Sequence, residues 1–263
     1  LPISFWRRSV RYAIIKANVM IKLWSQRMTD VDAAFFANGF VSLGQVLAGD
    51  ELQRAVQLFD ADREASGWNW RLYENHQTIN CDALVTSPAV DGLIRHPQIL
   101  PAIESLMGGP ICFSEICLRH MAAYEGDPYQ SWHRDRPRLD DHPLGMDYIQ
   151  LMFYLSDVDE TTHCFSISPE RADEAQREQD VQLREGGVTD RHGPAGTAIL
   201  FNVTVLHTAT VRVTTHERKT IQVYYGHRNA PALSNDSTIP ATLWRDHTDA
   251  ETRAFYGNLN DKT

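Results

Sequence analysis

The 263-residue chain is 43% hydrophobic and carries a formal charge of -9, enough apolar material for one sizeable core in a single domain spanning 1–263. A polyanion is bound by Lys and Arg that displace its counterions, so this acidic balance argues against nucleic acid and leaves a small-molecule substrate as the expected partner. Cys81, Cys112, Cys117 and Cys164 form no C-x-x-C pair and no zinc spacing, so they read as reduced thiols in a cytoplasmic setting.

Residues 1–29 hold Arg7, Arg8, Arg11, Lys16, Lys22 and Arg27 and no acid. Trp6, Val10, Ile14, Ala17, Ile21 and Trp24 recur at helical spacing opposite most of these bases, which predicts a basic amphipathic helix. Lys16 and Lys22 interrupt its apolar runs, so no integral membrane span is expected, although peripheral contact with a membrane surface suits such a helix. Thr29 then stands as N-cap before a short acidic-led helix that Gly39 closes. A strand follows at Phe40-Val-Ser-Leu, and residues 50–65 place Leu52, Ala55, Val56 and Phe59 on one helical face.

Beyond residue 110 the apolar runs shorten to strand length, at 111–121, 148–155, 164–167, 198–205 and 220–225, and most are rich in β-branched and aromatic residues. The charged stretch 170–196 interrupts them as a loop or lid excursion that, with the segment from Leu233 onward, is expected to border a substrate entrance. Pro240 precedes Ala-Thr-Leu-Trp-Arg, and Thr248-Asp-Ala-Glu251 has capping-box spacing before a last helix. Helices, then strands, then a helical tail predict an α+β domain with a β-sandwich or jelly-roll core.

Trp132-His133-Arg134-Asp135 sets an imidazole and a carboxylate two residues apart, on one side of an extended segment. His207 follows the apolar run 198–205 and should sit at that strand's end. Two histidines and a carboxylate cover one face of an octahedral metal and leave three positions open, as non-haem Fe(II) requires. Zinc enzymes use similar sets, though without an H-E-x-x-H helix the resemblance to them is weak, and a surface turn at Arg134-Asp135-Arg136-Pro137 accounts for His133 and Asp135 with no metal. Arg218, among apolar strand residues, needs an anionic partner if it points inward, and a carboxylate fits its planar fork. His120 and Gln150 are expected on inner strands near cosubstrate or substrate. Asp140 and Asp141 are poorer ligands in a Pro-bounded loop. His142, His163, His192, His216, His227 and His247 read as surface or loop residues, while Tyr148, Phe153, Phe165 and Trp244 are pocket or core aromatics.

Between about residues 35 and 228 the chain resembles the phytanoyl-CoA dioxygenase family of Fe(II)- and 2-oxoglutarate-dependent oxygenases. The likeness rests on Phe-Phe-Ala-Asn-Gly-Phe-Val, Trp-His-Arg-Asp, Tyr-Leu-Ser-Asp-Val-Asp, the Ser166-Ile-Ser-Pro-Glu turn and the spacing from His207 to Arg218. The resemblance implies a double-stranded β-helix, with His133, Asp135 and His207 as iron ligands and Arg218 on the distal carboxylate of 2-oxoglutarate. It further implies use of O2 to oxidise a small organic metabolite, by hydroxylation, desaturation or cyclisation, with release of succinate and CO2. A carboxylate at Asp135 favours hydroxylase-type chemistry over that of the related halogenases, which have a small residue there. Two departures are clear. Ala209 replaces the hydroxyl residue that many relatives place beside the arginine, for which Thr208 or Thr210 would have to substitute, and Ser168-Pro169-Glu170-Arg171 lacks the family's Gly-Ser-His turn. A cupin-like metal isomerase or hydrolase, or a non-catalytic ligand-binding domain, are the competing readings of the same ligand set.

Overall fold

The computed structural model describes residues 29–73, 76–139 and 142–263. The basic amphipathic helix expected over 1–29 and the pair Asp140 and Asp141 therefore lie outside the described residues, apart from Thr29.

Helix α1, Asp30–Asn38, begins as its sequence dictates: Thr29 and Asp32 cap each other's backbone N–H groups, and Gly39, at φ 76°, takes the left-handed turn that ends it. Strand β1 (Phe40–Gln45) leads to α2 (Gly49–Ala65), which buries Ala55 and Phe59 as the spacing predicts. Short strands β2 (Arg71–Tyr73) and β3 (Gln77–Asn80) precede three short helices, α3 (Ala83–Thr86), α4 (Asp91–Ile94) and α5 (Leu100–Met107). The strand-rich half comprises β4 (Ile111–Met121), β5 (Tyr129–Gln130), β6 (Tyr148–Tyr154), β7 (Cys164–Ile167), β8 (Thr189–Arg191), β9 (Thr197–Asn202), β10 (His207–Val211) and β11 (Arg218–His227), with α6 (Gln179–Glu185) between β7 and β8. Helices α7 (Ala241–Trp244) and α8 (Ala250–Phe255) close the chain. The cap of α8 is Asp249, one residue later than the capping-box spacing suggests, and its carboxylate accepts from Thr252 N.

The strands form two antiparallel sheets, ordered β1-β9-β6-β11-β4-β3-β2 and β5-β10-β7-β8, the two layers of a double-stranded β-helix. Alternation along each strand divides the larger sheet into two faces. Ile149, Leu151 and Phe153 of β6 and Ile221, Val223 and Tyr225 of β11 join the core under the helices, with Phe59, Ile103 and Phe255. Met152 and Tyr154 of β6 turn the other way, toward Cys164, Phe165 and Ile167 of the smaller sheet. Both faces of β6 are thus buried, which is why it reads as a continuous apolar run.

The run 198–205 is not one strand. Asn202 ends β9: its side-chain oxygen accepts from Thr204 N at 2.9 Å and Thr204 Oγ1 at 2.8 Å, an Asx-type turn that sends the chain across to the smaller sheet. His207 accordingly opens β10, rather than sitting at the end of the strand before it. The segment 170–196 is likewise not a plain loop, since it contains α6 and the edge strand β8.

Candidate metal centre

The segment after β5 is hung along β10. Ser131 N donates to Thr208 Oγ1 at 2.9 Å, His133 and His207 exchange reciprocal backbone N–H to carbonyl bonds at 3.0 Å, and Asp135 N donates to Val203 O at 3.0 Å. These bonds bring the extended His-x-Asp pair against the first residue of β10. His133 Nε2 lies 3.4 Å and His207 Nε2 3.6 Å from Asp135 Oδ1, and the three donor atoms all lie within 4.8 Å of one another.

The remaining atoms of these side chains are already committed. His133 Nδ1 meets Ser131 O and His207 Nδ1 meets Val205 O, each at 2.8 Å, which puts the proton on Nδ1 and leaves the Nε2 lone pair toward the centre. Tyr224 of β11 donates its hydroxyl to Asp135 Oδ2 at 3.0 Å, so Oδ1 is the oxygen left for a cation. Burial raises the Asp135 carboxyl, but the two imidazoles outweigh it and hold the group well below the usual carboxylate range; the same contact raises His133. Two neutral-capable imidazoles, one carboxylate oxygen and oriented outer partners fit a divalent transition metal bound on one face. His207 is buried against Phe165 and Phe201, with ring centroids at 5.7 and 4.9 Å, whereas the His133 side chain is 52% exposed, so the centre opens on the His133 side.

The centre forms one wall of a cavity of about 210 Å³ between the sheets. Arg218, the first residue of β11, lines it at 2% exposure. Its guanidinium points two N–H groups at thioethers, Met121 Sδ at 3.4 Å and Met152 Sδ at 3.2 Å, lies 5.3 Å from the Tyr154 ring centroid, and leaves Nε without a partner. Among the described residues no carboxylate lies within ion-pair distance of it, and burial pulls it below the ordinary guanidinium value. A buried cation surrounded by thioethers and a ring is an expensive arrangement that an incoming carboxylate would relieve.

Gln150 and Thr208 also line the cavity. Gln150 Nε2 reaches Gln222 Oε1 at 3.4 Å, but the Thr208 hydroxyl is spent on Ser131 N and Ala209 O, and Thr210 turns away to Gln130 and Ser166. His120 is not at the cavity. A bulge in β4 opposite Tyr224/Tyr225 shifts the alternation, so that Phe113, Ile116 and Leu118 face the helices while Glu115, Cys117 and Arg119 face the cavity. His120 shares the helix side, where its Nε2 lies 2.8 Å from Glu217. Residues 170–196 are not among those lining the cavity, whereas Asp236 from the C-terminal segment is. Phe165 lines it; Phe153 belongs to the helix-side core, and Tyr148 bonds Pro231 O. His163, expected at the surface, is fully buried, with Nε2 2.9 Å from Ala122 O and Nδ1 accepting from Arg212 N.

Sequence reasoning missed Arg119 and Glu115, whose inward direction depends on the bulge, and Tyr224, which plain alternation from Arg218 along β11 would have pointed to. It also missed a clamp behind the ligands. Arg134, between His133 and Asp135, donates to Glu170 at 2.5 Å and to Thr204 O at 2.9 Å, and Glu170 accepts from Leu206 N at 3.0 Å, next to His207. Glu170 stands in the turn where the resemblance leads one to expect Gly-Ser-His, and here ties both ligand segments together.

The family model for phytanoyl-CoA dioxygenase (PhyH) matches residues 35–220, most of the chain. The chain belongs to the phytanoyl-CoA dioxygenase family. It is therefore a non-haem iron oxygenase of the 2-oxoglutarate-dependent class, with Fe(II) as cofactor and 2-oxoglutarate and O2 as cosubstrates. Solved structures share the fold at low identity. The non-heme alpha ketoglutarate dependent carbocyclase SnoK from nogalamycin biosynthesis is 18% identical with a TM-score of 0.64, covering 79% of this chain and 87% of its own. The epimerase SnoN, in complex with Fe3+, alpha ketoglutarate and nogalamycin RO, is 17% identical with a TM-score of 0.66, covering 88% and 95%. EctD from S. alaskensis, with 2-oxoglutarate and 5-hydroxyectoine, is 16% identical with a TM-score of 0.64, covering 84% and 85%. No curated protein matches the chain. Among the described residues no helix is long and apolar enough to cross a membrane.

Proposed function

We propose that His133 Nε2, Asp135 Oδ1 and His207 Nε2 hold the Fe(II), that Arg218 takes the distal carboxylate of 2-oxoglutarate, and that the enzyme hydroxylates a small organic molecule in the remaining cavity. The observation that carries this reading is the Arg218 guanidinium, buried, without a carboxylate partner among the described residues, and facing the same cavity as the three proposed ligands. Iron with 2-oxoglutarate and O2 supplies an oxidant strong enough to take hydrogen from a C–H bond, releasing succinate and CO2.

The chain's own residues do the positioning. The reciprocal His133 and His207 backbone bonds fix the two imidazoles relative to each other, and Tyr224 fixes the carboxylate between them. Phe165 and Phe201 keep water from the His207 side. Gln150 and Gln222 offer amide groups to either cosubstrate or substrate. SnoN with alpha ketoglutarate and EctD with 2-oxoglutarate support the cosubstrate assignment. The cavity, about 210 Å³, lies below the about 300–1,000 Å³ usual for ligand sites, so a small metabolite is the substrate class that fits beside 2-oxoglutarate. The test is succinate formation from 2-oxoglutarate in air by the Fe(II)-loaded protein. Wild type should form it and His207→Ala should not; equal formation by both would overturn the assignment.

A further inference from the structure

Among the described residues two arginines line the cavity with unsatisfied donors, of which the proposed function uses one; the other is Arg119. It lies on β4 on the metal side of the bulge. One Nη donates to Gln77 Oε1 at 3.2 Å, the guanidinium stacks 4.6 Å from the Tyr73 ring centroid, and Nε is buried with no partner.

Among the described residues, none of the acids around the cavity answers it. Asp135 is held by Tyr224 and the two imidazoles, Asp236 is paired with Arg71 at 2.9 Å, and Glu115 accepts from Ser234. The guanidinium lies over the Tyr73 ring and its Nε has no partner among the described residues, so a donor remains for a carboxylate. 2-Oxoglutarate brings two carboxylates, of which one binds the metal beside the keto group in this class and the other is assigned to Arg218. Arg119 is left over.

We infer that Arg119 anchors a carboxylate of the substrate, making the enzyme selective for small carboxylic acids. A phosphoryl group fits less well. It brings about two negative charges, and the cavity offers it one further arginine, already paired to Asp236. Glu115, whose carboxyl burial pushes up to about 7, sits four residues before Arg119 on the same strand face, about 13 Å away along the strand, so the cavity is basic at the Arg119 end and not at the other. That polarity orients an acid with its carboxylate at Arg119.

This inference rests on the assignment of Arg218 to the cosubstrate, and the experiment reads the two separately. Full-length protein loaded anaerobically with Fe(II) and 2-oxoglutarate is titrated calorimetrically with acetate, propanoate, L-proline and benzoate, and with the carboxamide of each. The affinity for 2-oxoglutarate itself is measured in parallel. Wild type should bind at least one acid tenfold or more tighter than its amide. Arg119→Gln, and the apolar Arg119→Met as a check against a folding defect, should erase that preference while changing the 2-oxoglutarate dissociation constant less than about twofold. Wild type that treats acids and amides alike overturns the inference, as does a preference that survives both substitutions. A tenfold loss of 2-oxoglutarate affinity in the Arg119 variants would overturn it too, by assigning Arg119 to the cosubstrate. Loss of 2-oxoglutarate binding in the Arg218 variants alone leaves it standing, whereas retention there removes the reading beneath it.

Discussion

Replacing Arg218 with methionine should make the ligand-free protein more stable and the enzyme inactive. The side chain is 2% exposed, and its neighbours are Met121, Met152 and the Tyr154 ring. A methionine of similar length would pack among those groups without a charge to desolvate. Exchanging buried charges for apolar side chains of similar volume gains about 1–4 kcal/mol, so about 2 kcal/mol is expected here. In a chain of this size each kcal/mol moves Tm by about 2–4 °C, giving a rise of about 4–8 °C in the metal-free protein. The same substitution removes two charge-assisted hydrogen bonds to the cosubstrate, worth at least about 3 kcal/mol together, which is more than 100-fold in affinity. Arg218→Lys keeps the charge but not the fork and should cost about 2 kcal/mol, or roughly 30-fold. Calorimetric melting of the metal-free variants and titration of 2-oxoglutarate into the anaerobic Fe(II) proteins give both numbers. A lower Tm for Arg218→Met together with unchanged 2-oxoglutarate affinity would show that Arg218 is a structural residue with a partner of its own, and the argument from its isolation would fall.

Burial pushes the Glu115 carboxyl up from 4.5 to about 7. The folded state therefore holds a proton that the unfolded chain has released between those values, and stability should fall as pH rises through that window. Glu115→Gln removes the effect, so the two metal-free proteins should converge near pH 4.5 and the variant should lead by about 2 kcal/mol at pH 7.5, allowing for partial exposure; urea unfolding at both pH values checks it. Breaking the Arg134 and Glu170 clamp with Glu170→Gln should cost about 3 kcal/mol in urea unfolding by stranding Arg134, and should weaken Fe(II) binding about 10–100-fold, although neither residue touches the metal. Unchanged iron affinity in a destabilised Glu170→Gln would limit the clamp to a structural role.

Local chemistry made much of this legible from sequence. The caps of α1, the apolar face of α2 and the runs of β4, β6 and β7 depend on neighbours a few residues apart, and each forms where its spacing implies. The His133 and Asp135 pair is of the same kind, because two residues in an extended segment always share a side. What failed depends on contacts distant in sequence. His120, on a strand expected to be an inner one, faces the helices because the β4 bulge against β11 shifts the alternation, a feature that no local residue announces. His207 was placed at the end of β9 because the turn at Asn202 is hidden in an apolar run, Val203-Thr-Val-Leu, that reads as strand. His163 carries no local sign that Ala122 and Arg212, 41 and 49 residues away, enclose it. Residues 170–196 look solvated because Arg171, Asp173, Glu174 and Arg177 pair with one another at the surface.

The central claim is that His133, Asp135 and His207 form one iron site that accepts 2-oxoglutarate. Anaerobic titration of Fe(II) and then 2-oxoglutarate into the full-length protein, followed by the visible charge-transfer absorption of the chelate, tests it directly. Wild type should saturate at one iron and one 2-oxoglutarate per chain, and folded His207→Ala should give no band. No band in wild type, or the same band in His207→Ala, would contradict the assignment.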